Sequence, residues 1–378
     1  MIYFIEEPDL PEQCNRIIMS QSKKYKICVY AISRNEEKFV DRWYESIKDA
    51  DYICVLDTGS TDNTIEKLKS HGINVQSKII TPWRFDTARN ESLKLIPNDT
   101  DICICLDLDE VLAPNWKKTL LSNWTDDTTR IKYTYNWSLD ENDNPIISFY
   151  TNKIHKNKFY KWTHPVHEVL TIKNDVEENE LLVDELIINH YPDQNKSRSS
   201  YLPLLELSVK EDPYDDRNMH YLGREYMFYG KWNECIETLL KHLELKNATW
   251  KDERAASMRF IARSYRNLGR TEEAIFWYEK AITEAPYLRE SYCELMMLYY
   301  DLKKYSQAIN YGIMALQINK NTKSYINETF SNNENIYDVL SLCFFYQDLK
   351  NVGMKFLELA IKENPKNKRL QENKKYFE

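Results

Sequence analysis

The residues best placed by type and spacing to do chemistry together are Asp107 and Asp109. They lie in Asp107-Leu108-Asp109-Glu110, directly after the apolar run Ile102-Cys103-Ile104-Cys105-Leu106. Such a run reads as a central strand covered on both faces. Continued past its end, strand alternation puts Asp107 and Asp109 on one side and Leu108 and Glu110 on the other. Two carboxylates held together repel unless a cation joins them, and oxygen ligands favour Mg²⁺ or Mn²⁺. An ion of this kind commonly bridges protein carboxylates and a substrate diphosphate. An isolated Asp-x-Asp is an ordinary acidic turn far more often than a site, so the surrounding elements must carry the reading.

Those elements alternate. Residues 26–32 form a first apolar strand that ends in Ser33-Arg34-Asn35-Glu36-Glu37, and a helical spacing follows over residues 39–47. A second strand over 52–56 ends in Asp57-Thr58-Gly59-Ser60-Thr61-Asp62, where Thr61 or Asp62 can cap a helix over 64–70. A short strand near 73–79 completes the pattern. It predicts an α/β, mostly parallel sheet that binds ligands beyond the carboxyl ends of its strands, near a switch in strand order. Three polar clusters sit at such ends, and a fourth, Trp83-Arg84-Phe85-Asp86-Thr87-Ala88-Arg89-Asn90, opens a helix whose amides could face an anion. Further on, residues 130–137 alternate as a strand, 140–145 read as a hairpin turn, and a strand over 181–189 ends at His190.

The 378-residue chain is long enough for two domains, and its net charge of −8 argues against a sequence-independent nucleic-acid binder. The apolar start Met1-Ile2-Tyr3-Phe4-Ile5 runs at once into Glu6, Glu7 and Asp9, so it lacks the basic region of a signal peptide, and no apolar run has transmembrane length. The expectation is a soluble, cytoplasmic protein. Its eight cysteines form no Cys-x-x-Cys pair and read as small buried hydrophobes in a reducing compartment.

Everything after a polar linker near 193–200 is helical in pattern. Met258, Ile261, Ala262, Tyr265, Gly269, Ala274, Tyr278, Ala281 and Pro286 match the tetratricopeptide pattern, and related spacings recur upstream and downstream. Each unit is a pair of antiparallel helices that stacks on its neighbours into a solenoid. The expected organisation is an extension over 1–24, an α/β domain over 25–192, a linker over 193–215 and a repeat domain over 216–378. A face of the solenoid could take the acceptor, a protein partner or a second copy of the chain.

Asn35-Glu36-Glu37, Asp57-Thr58-Gly59-Ser60-Thr61-Asp62, Ala88-Arg89-Asn90 and Asp107-Leu108-Asp109, in this order, resemble a family 2 glycosyltransferase of GT-A type. The resemblance covers about residues 25–192. With the repeat tail, the layout is similar to bacterial peptide glycosyltransferases that modify cysteines of bacteriocins. It implies a Rossmann-like catalytic domain and a nucleoside-diphosphate sugar donor, UDP-hexose favoured. By resemblance Ile32, Arg34, Glu36, Asp57, Arg89 and Asp107 bind the nucleotide sugar; Asp107, Asp109 and His190 hold the metal; and Glu168, or else His167, is the base. The chain has His167-Glu168 where the familiar pattern ends in Glu-Asp. Any base must lie within hydrogen-bond reach of the acceptor nucleophile, and both residues qualify chemically. His164 and His167 equally suit a structural role beside Trp162, and Arg89 that of a helix-surface ion-pair partner. An imidazole ligand suits Mn²⁺ better than Mg²⁺. The acceptor is a protein, peptide or glycan. The rival readings are a catalytically silent scaffold whose repeats bind a partner, and a nucleotidyltransferase on the same sheet.

Overall fold

The computed structural model describes residues 25–173, 175–193, 199–319 and 323–377. The expected extension over 1–24, with Cys14, lies outside the described residues.

The first strand, β1 (Ile27–Ser33), leads through helix α1 (Val40–Ile47) into β2 (Tyr52–Asp57), and α2 (Thr64–Ser70) leads into β3 (Asn74–Ser77). Helix α3 (Phe85–Leu93) precedes β4 (Ile102–Cys105) and the short β5 (Glu110–Leu112), and α4 (Trp116–Asn123) precedes β6 (Arg130–Leu139). The hairpin partner β7 (Pro145–Lys156), a small ribbon of β8 (Tyr160–Thr163) and β9 (Val169–Ile172), and β10 (Glu180–His190) complete the domain. The main sheet runs β3-β2-β1-β4-β7-β6-β10-β5. Pairs β1/β2, β1/β4, β2/β3 and β6/β10 are parallel, whereas β4/β7, β6/β7 and β5/β10 are antiparallel. The chain leaves β1 toward β2 and later returns on the other side as β4, so the switch in strand order falls between β1 and β4, where a ligand crevice is expected.

The sheet is covered on both faces, which explains the unbroken apolar runs. Ile27, Val29 and Ala31 pack with Trp43, Ile47, Trp116 and Leu120 on one face. Cys28, Tyr30, Cys54, Cys103 and Cys105 pack with Tyr160, Trp162 and Leu170 of the ribbon on the other. All the described cysteines are buried and free. A buried relay ties the ribbon to the sheet: Trp162 Nε1 donates to Tyr30 Oη at 3.1 Å, Tyr30 lies 2.9 Å from His155 Nε2, and His155 Nδ1 lies 3.1 Å from the Lys156 carbonyl. Burial pushes His155 down to about 4, so the ring is neutral at physiological pH and can accept the tyrosine proton.

Within the stretch 193–215 expected as a linker, Tyr201–Glu211 is helical (α5). Four antiparallel pairs follow: α6 (Asp216–Phe228) with α7 (Trp232–Glu244), α8 (Lys251–Asn267) with α9 (Thr271–Glu284), α10 (Arg289–Asp301) with α11 (Tyr305–Leu316), and α12 (Asn335–Tyr346) with α13 (Lys350–Glu363). A terminal helix, α14, spans Lys368–Asn373. Small residues lie where helices touch: Ala262, Ala274 and Ala281 are fully buried, and a Cβ on Gly223 would stand 2.3 Å from Leu239. The repeats meet the sheet domain through Val166, Leu202, Leu205, Tyr221 and Leu222, with Trp83 and Phe85 alongside.

Candidate active site

Two of the polar clusters are sewn into one platform. Asn35 N donates to Ser60 Oγ at 2.9 Å, Glu36 N to Thr64 Oγ1 at 2.8 Å and Glu37 N to Asp62 Oδ2 at 3.3 Å. In return Thr61 N donates to Asn35 Oδ1 and Asn63 N to Glu37 Oε2, both at 2.7 Å. Asp62 also accepts from Thr64 N at 3.1 Å, but the residue at the cap of α2 is Asn63, whose side chain makes no cap bond, so neither Thr61 nor Asp62 is the cap. Asp57 is fully buried and takes four donors from its surroundings: Gly59 N, Ser60 N, Ser60 Oγ and Ser33 Oγ. Its carboxylate shapes the loop. Gly59, at φ +115, is where that loop turns through a conformation that favours glycine. Glu36 is buried beneath the platform, Ile32 is half-buried and Arg34 is exposed at its edge.

A chain of opposite charges runs beyond β4. Arg89, on α3, pairs through Nη1 and Nη2 with the two oxygens of Asp107 at 2.8 and 3.0 Å, and through Nε with Glu168. The same guanidinium touches Cys105 Sγ at 3.1 Å and lies over the Trp162 ring. Lys153 reaches Asp107 Oδ2 at 3.2 Å and Glu110 Oε1 at 2.7 Å. Glu110 accepts from Tyr135 Oη at 2.7 Å and from Asp107 N at 2.9 Å. Burial alone would raise Asp107, but Arg89 and then Lys153 outweigh it and hold the carboxyl far below its usual range. For Glu110 burial wins, and its carboxyl is raised despite Lys153.

Strand alternation does not extend to the two aspartates. Strand β4 ends at Cys105, and the chain turns at once, with Glu110 N donating to the Asp107 carbonyl at 2.9 Å. The two aspartates therefore address different partners. Glu110, expected on the opposite side, joins the same charge network as Asp107. Asp109 instead faces His190, with Oδ2 3.5 Å from Nε2. His190 Nδ1 lies 3.0 Å from the Trp137 carbonyl, which fixes the proton on that nitrogen and points the Nε2 lone pair of the neutral ring at Asp109. Burial disfavours the imidazolium, but the Asp109 carboxylate outweighs that and raises His190 above its ordinary value. Among the described residues no group of three or more His, Cys, Asp or Glu side chains is placed to hold a metal ion.

The loop before β9 separates its two base candidates. His167 lies stacked on Tyr221 with ring centroids 3.9 Å apart, while Arg217 donates to its carbonyl at 3.2 Å. His164 lies 2.9 Å from Asn218 Nδ2 and 3.5 Å from Asp215. Both histidines have left-handed backbones and are bedded on the repeat domain. Glu168 alone turns inward, to Arg89. Lys153, Glu110 and Tyr135 entered no sequence expectation as site residues: a lysine within a half-buried strand gives no signal that its ammonium lies between two carboxylates.

Comparison with known proteins agrees with this division. Residues 28–170 match the glycosyl transferase family 2 model, and residues 260–287 match a tetratricopeptide repeat. No curated protein matches the chain. Among solved structures the helical part is similar to MamA, with 18% identity, 45% of this chain and 91% of that one covered, and a TM-score of 0.36. YrrB, titled a TPR protein with an unusual peptide-binding site, gives 11% identity, coverages of 47% and 83% and a TM-score of 0.36. The N-terminal domain of stress-induced protein-1 from C. elegans gives 14% identity, coverages of 34% and 98% and a TM-score of 0.31. Among the described residues no helix is long and apolar enough to cross a membrane. The chain thus joins a glycosyl transferase family 2 domain to a tetratricopeptide-repeat domain.

Proposed function

We infer that the chain transfers a hexose, with UDP-hexose as the favoured donor, to a protein, peptide or glycan acceptor, with inversion at the anomeric carbon. The observation that carries this reading is the continuous pairing Glu168–Arg89–Asp107–Lys153–Glu110 beside the stitched platform at the carboxyl ends of β1, β2 and β4. The platform, with Ile32, Arg34 and Glu36 along it, is the proposed seat of the nucleoside, and Asp57 supports it from beneath. Arg89 aims Glu168 and Asp107 at one another across the crevice. Glu168 is the base that takes the proton from the acceptor nucleophile, because His167 is committed to the repeat interface. Lys153 and Arg89 are the fixed positive charges near the leaving diphosphate, where preorganised charge lowers the barrier.

Asp109 and His190 fit a Mn²⁺ or Mg²⁺ ion by donor chemistry: a carboxylate faces an imidazole nitrogen whose partner nitrogen is fixed by a carbonyl. When bound, such an ion neutralises charge on the diphosphate. Asp107, with both oxygens on Arg89 and Lys153, is better read as the anchor of those cations than as a ligand. The soluble, cytoplasmic setting expected from the sequence is kept as part of the proposal.

The test is a donor screen: full-length protein, Mn²⁺ or Mg²⁺, UDP-, GDP- and dTDP-sugars, and mass-spectrometric detection of released nucleoside diphosphate with and without EDTA. A metal-dependent UDP-hexose signal is expected. No release from any donor, with no thermal shift by free nucleotides, would reject the catalytic reading.

A further inference from the structure

The first helices of the repeat pairs are buried more completely than a two-layer stack requires. Helix α9 buries only Ala274, Tyr278 and Ala281, whereas α8 buries an almost continuous run that includes Glu253, Ser257, Arg259 and Ser264. An apolar stripe against the second helices accounts for part of α8. Its buried polar residues need another cover, since polar groups withdrawn from water must find partners.

The cover is the chain's own segment 323–331, which lies between the third and fourth pairs in sequence. Tyr325 packs against Tyr221 of α6 with centroids 5.9 Å apart, and its hydroxyl donates to Glu253 of α8. Arg259 Nη2 donates to the Ile326 carbonyl at 3.3 Å, and Arg259 and Arg263 together grip the Glu328 carboxylate. On α10, Glu290 Oε1 accepts from Asn327 Nδ2 at 2.9 Å, from Glu328 N at 3.2 Å and from Ser331 Oγ at 3.0 Å. At its start the segment reaches the sheet domain: Lys323 touches Tyr150 Oη at 3.2 Å and pairs with Asp184, and Tyr325 lies edge-on to Phe149.

We propose that segment 323–331 is an intramolecular peptide ligand of the repeats, read through Tyr325, Asn327 and Glu328, and that it straps the groove of α6, α8 and α10 to the sheet domain. Side chains and backbone are both recognised, as in a peptide complex, and an Arg pair on one carboxylate is a geometrically specific contact. A partner peptide entering this groove must present the same chemistry, an aromatic hydroxyl followed three residues later by a carboxylate, and must displace the strap. The proposal stands apart from the glycosyl-transfer reading, because its test measures binding and exchange only.

The experiment uses the full chain and a fluorescein-labelled nonapeptide of sequence Lys-Ser-Tyr-Ile-Asn-Glu-Thr-Phe-Ser. In the unaltered protein, amides of 324–331 should exchange hydrogen as slowly as those of α8, and the peptide should not bind. Glu328→Lys, at a partly exposed side chain, should speed exchange of that segment by ~10-fold or more, leave α8 to α11 protected and open the groove to the peptide. A peptide with lysine in the glutamate position should fail to bind it. Arg263→Gln is the second variant: it should speed exchange of the segment likewise, but, lacking one of the two arginines that read the carboxylate, it should bind the peptide less tightly than Glu328→Lys does. Fast exchange of 324–331 in the unaltered protein overturns the proposal whether or not the variants fold. So do exchange unchanged in both variants, equal binding of both peptides by Glu328→Lys, and a strap released in Glu328→Lys with no peptide binding.

Discussion

Replacing Lys153 with methionine tests whether the charge chain beyond β4 is a balanced unit. The ammonium is only 21% exposed and lies 2.7 Å from Glu110, itself 2% exposed, and 3.2 Å from Asp107. Methionine keeps most of the volume, so packing changes little and the loss is electrostatic. Removing one partner of a buried pair typically costs about 3–5 kcal/mol because the other charge is left in low dielectric. Here Tyr135 and the Asp107 amide still solvate Glu110, which argues for the lower end, about 3 kcal/mol. Guanidinium unfolding of the single variant and of Lys153→Met with Glu110→Gln supplies the coupling, expected at about 2 kcal/mol. The sign with pH is fixed. Glu110 already has a folded-state value above its unfolded one, and losing Lys153 raises it further. The folded state then binds more protons than the unfolded state as pH climbs above the ordinary carboxyl value. Stability relative to the unaltered protein must therefore fall as pH rises above the ordinary carboxyl value, by up to about 1.4 kcal/mol per pH unit. Asp107, depressed in the fold, acts only below its unfolded value and lies outside that window. A penalty below about 1 kcal/mol, or one that shrinks as pH rises, would refute the balanced-unit argument.

Arg89→Lys retains the charge but not the fork, so Asp107 and Glu168 can no longer be held together; melts should show a loss of about 2–3 kcal/mol, and donor turnover should drop at least ~100-fold. Asp109→Asn should leave the melting curve nearly unchanged and abolish metal-dependent release of nucleoside diphosphate; normal release would remove Asp109 from the proposed metal pair. His155 and His220 are buried and pushed down to about 4 and about 3, so the unfolded state binds the extra protons. Stability should then decline as pH falls from about 6.5 toward 4, each ring contributing up to about 1.4 kcal/mol per unit, and His155→Gln should flatten its share of the slope in urea titrations.

The order of strands and helices was legible because strands covered on both faces leave unbroken apolar runs, and residues 27–33, 52–57 and 102–105 are such runs. The repeat pairs were legible for a related reason: helices that touch closely need Ala and Gly at fixed spacing. The partners of polar side chains were not. Asp57 has the type and position of a ligand-binding acid, yet the donors that occupy it come from its own loop and from Ser33 at the end of β1. Lys153 reaches Asp107 only because β7 pairs antiparallel with β4, a long-range register that no local spacing encodes. Likewise the polar segment after α11 reads as a loop insertion, because nothing local in Tyr325 or Glu328 names Glu253 or Arg259 as a partner.

The charges of the site also bear on why the proposed donor would come with a cation. Glu168, Asp107 and Glu110 are three carboxyl groups arranged around two cations, Arg89 and Lys153. Those cations are already shared among acids, so a diphosphate drawing on them must compete with Asp107 for both. Two cations face three carboxyl groups, so no positive charge is left over before Asp109 is considered. Bringing a diphosphate in unaided would set like charge against like in a partly desolvated crevice, at a cost that grows as water is excluded. Arg89 and Lys153 pair with Asp107, Glu168 and Glu110, while Asp109 and His190 turn a carboxylate and an imidazole nitrogen toward each other. A divalent ion there would offset the donor's charge without loosening Arg89 from Glu168, so the base could stay aimed while the leaving group is neutralised. On this reasoning the proposed metal dependence is what the charges around Arg89 call for, and Asp109→Asn should weaken donor binding as well as turnover.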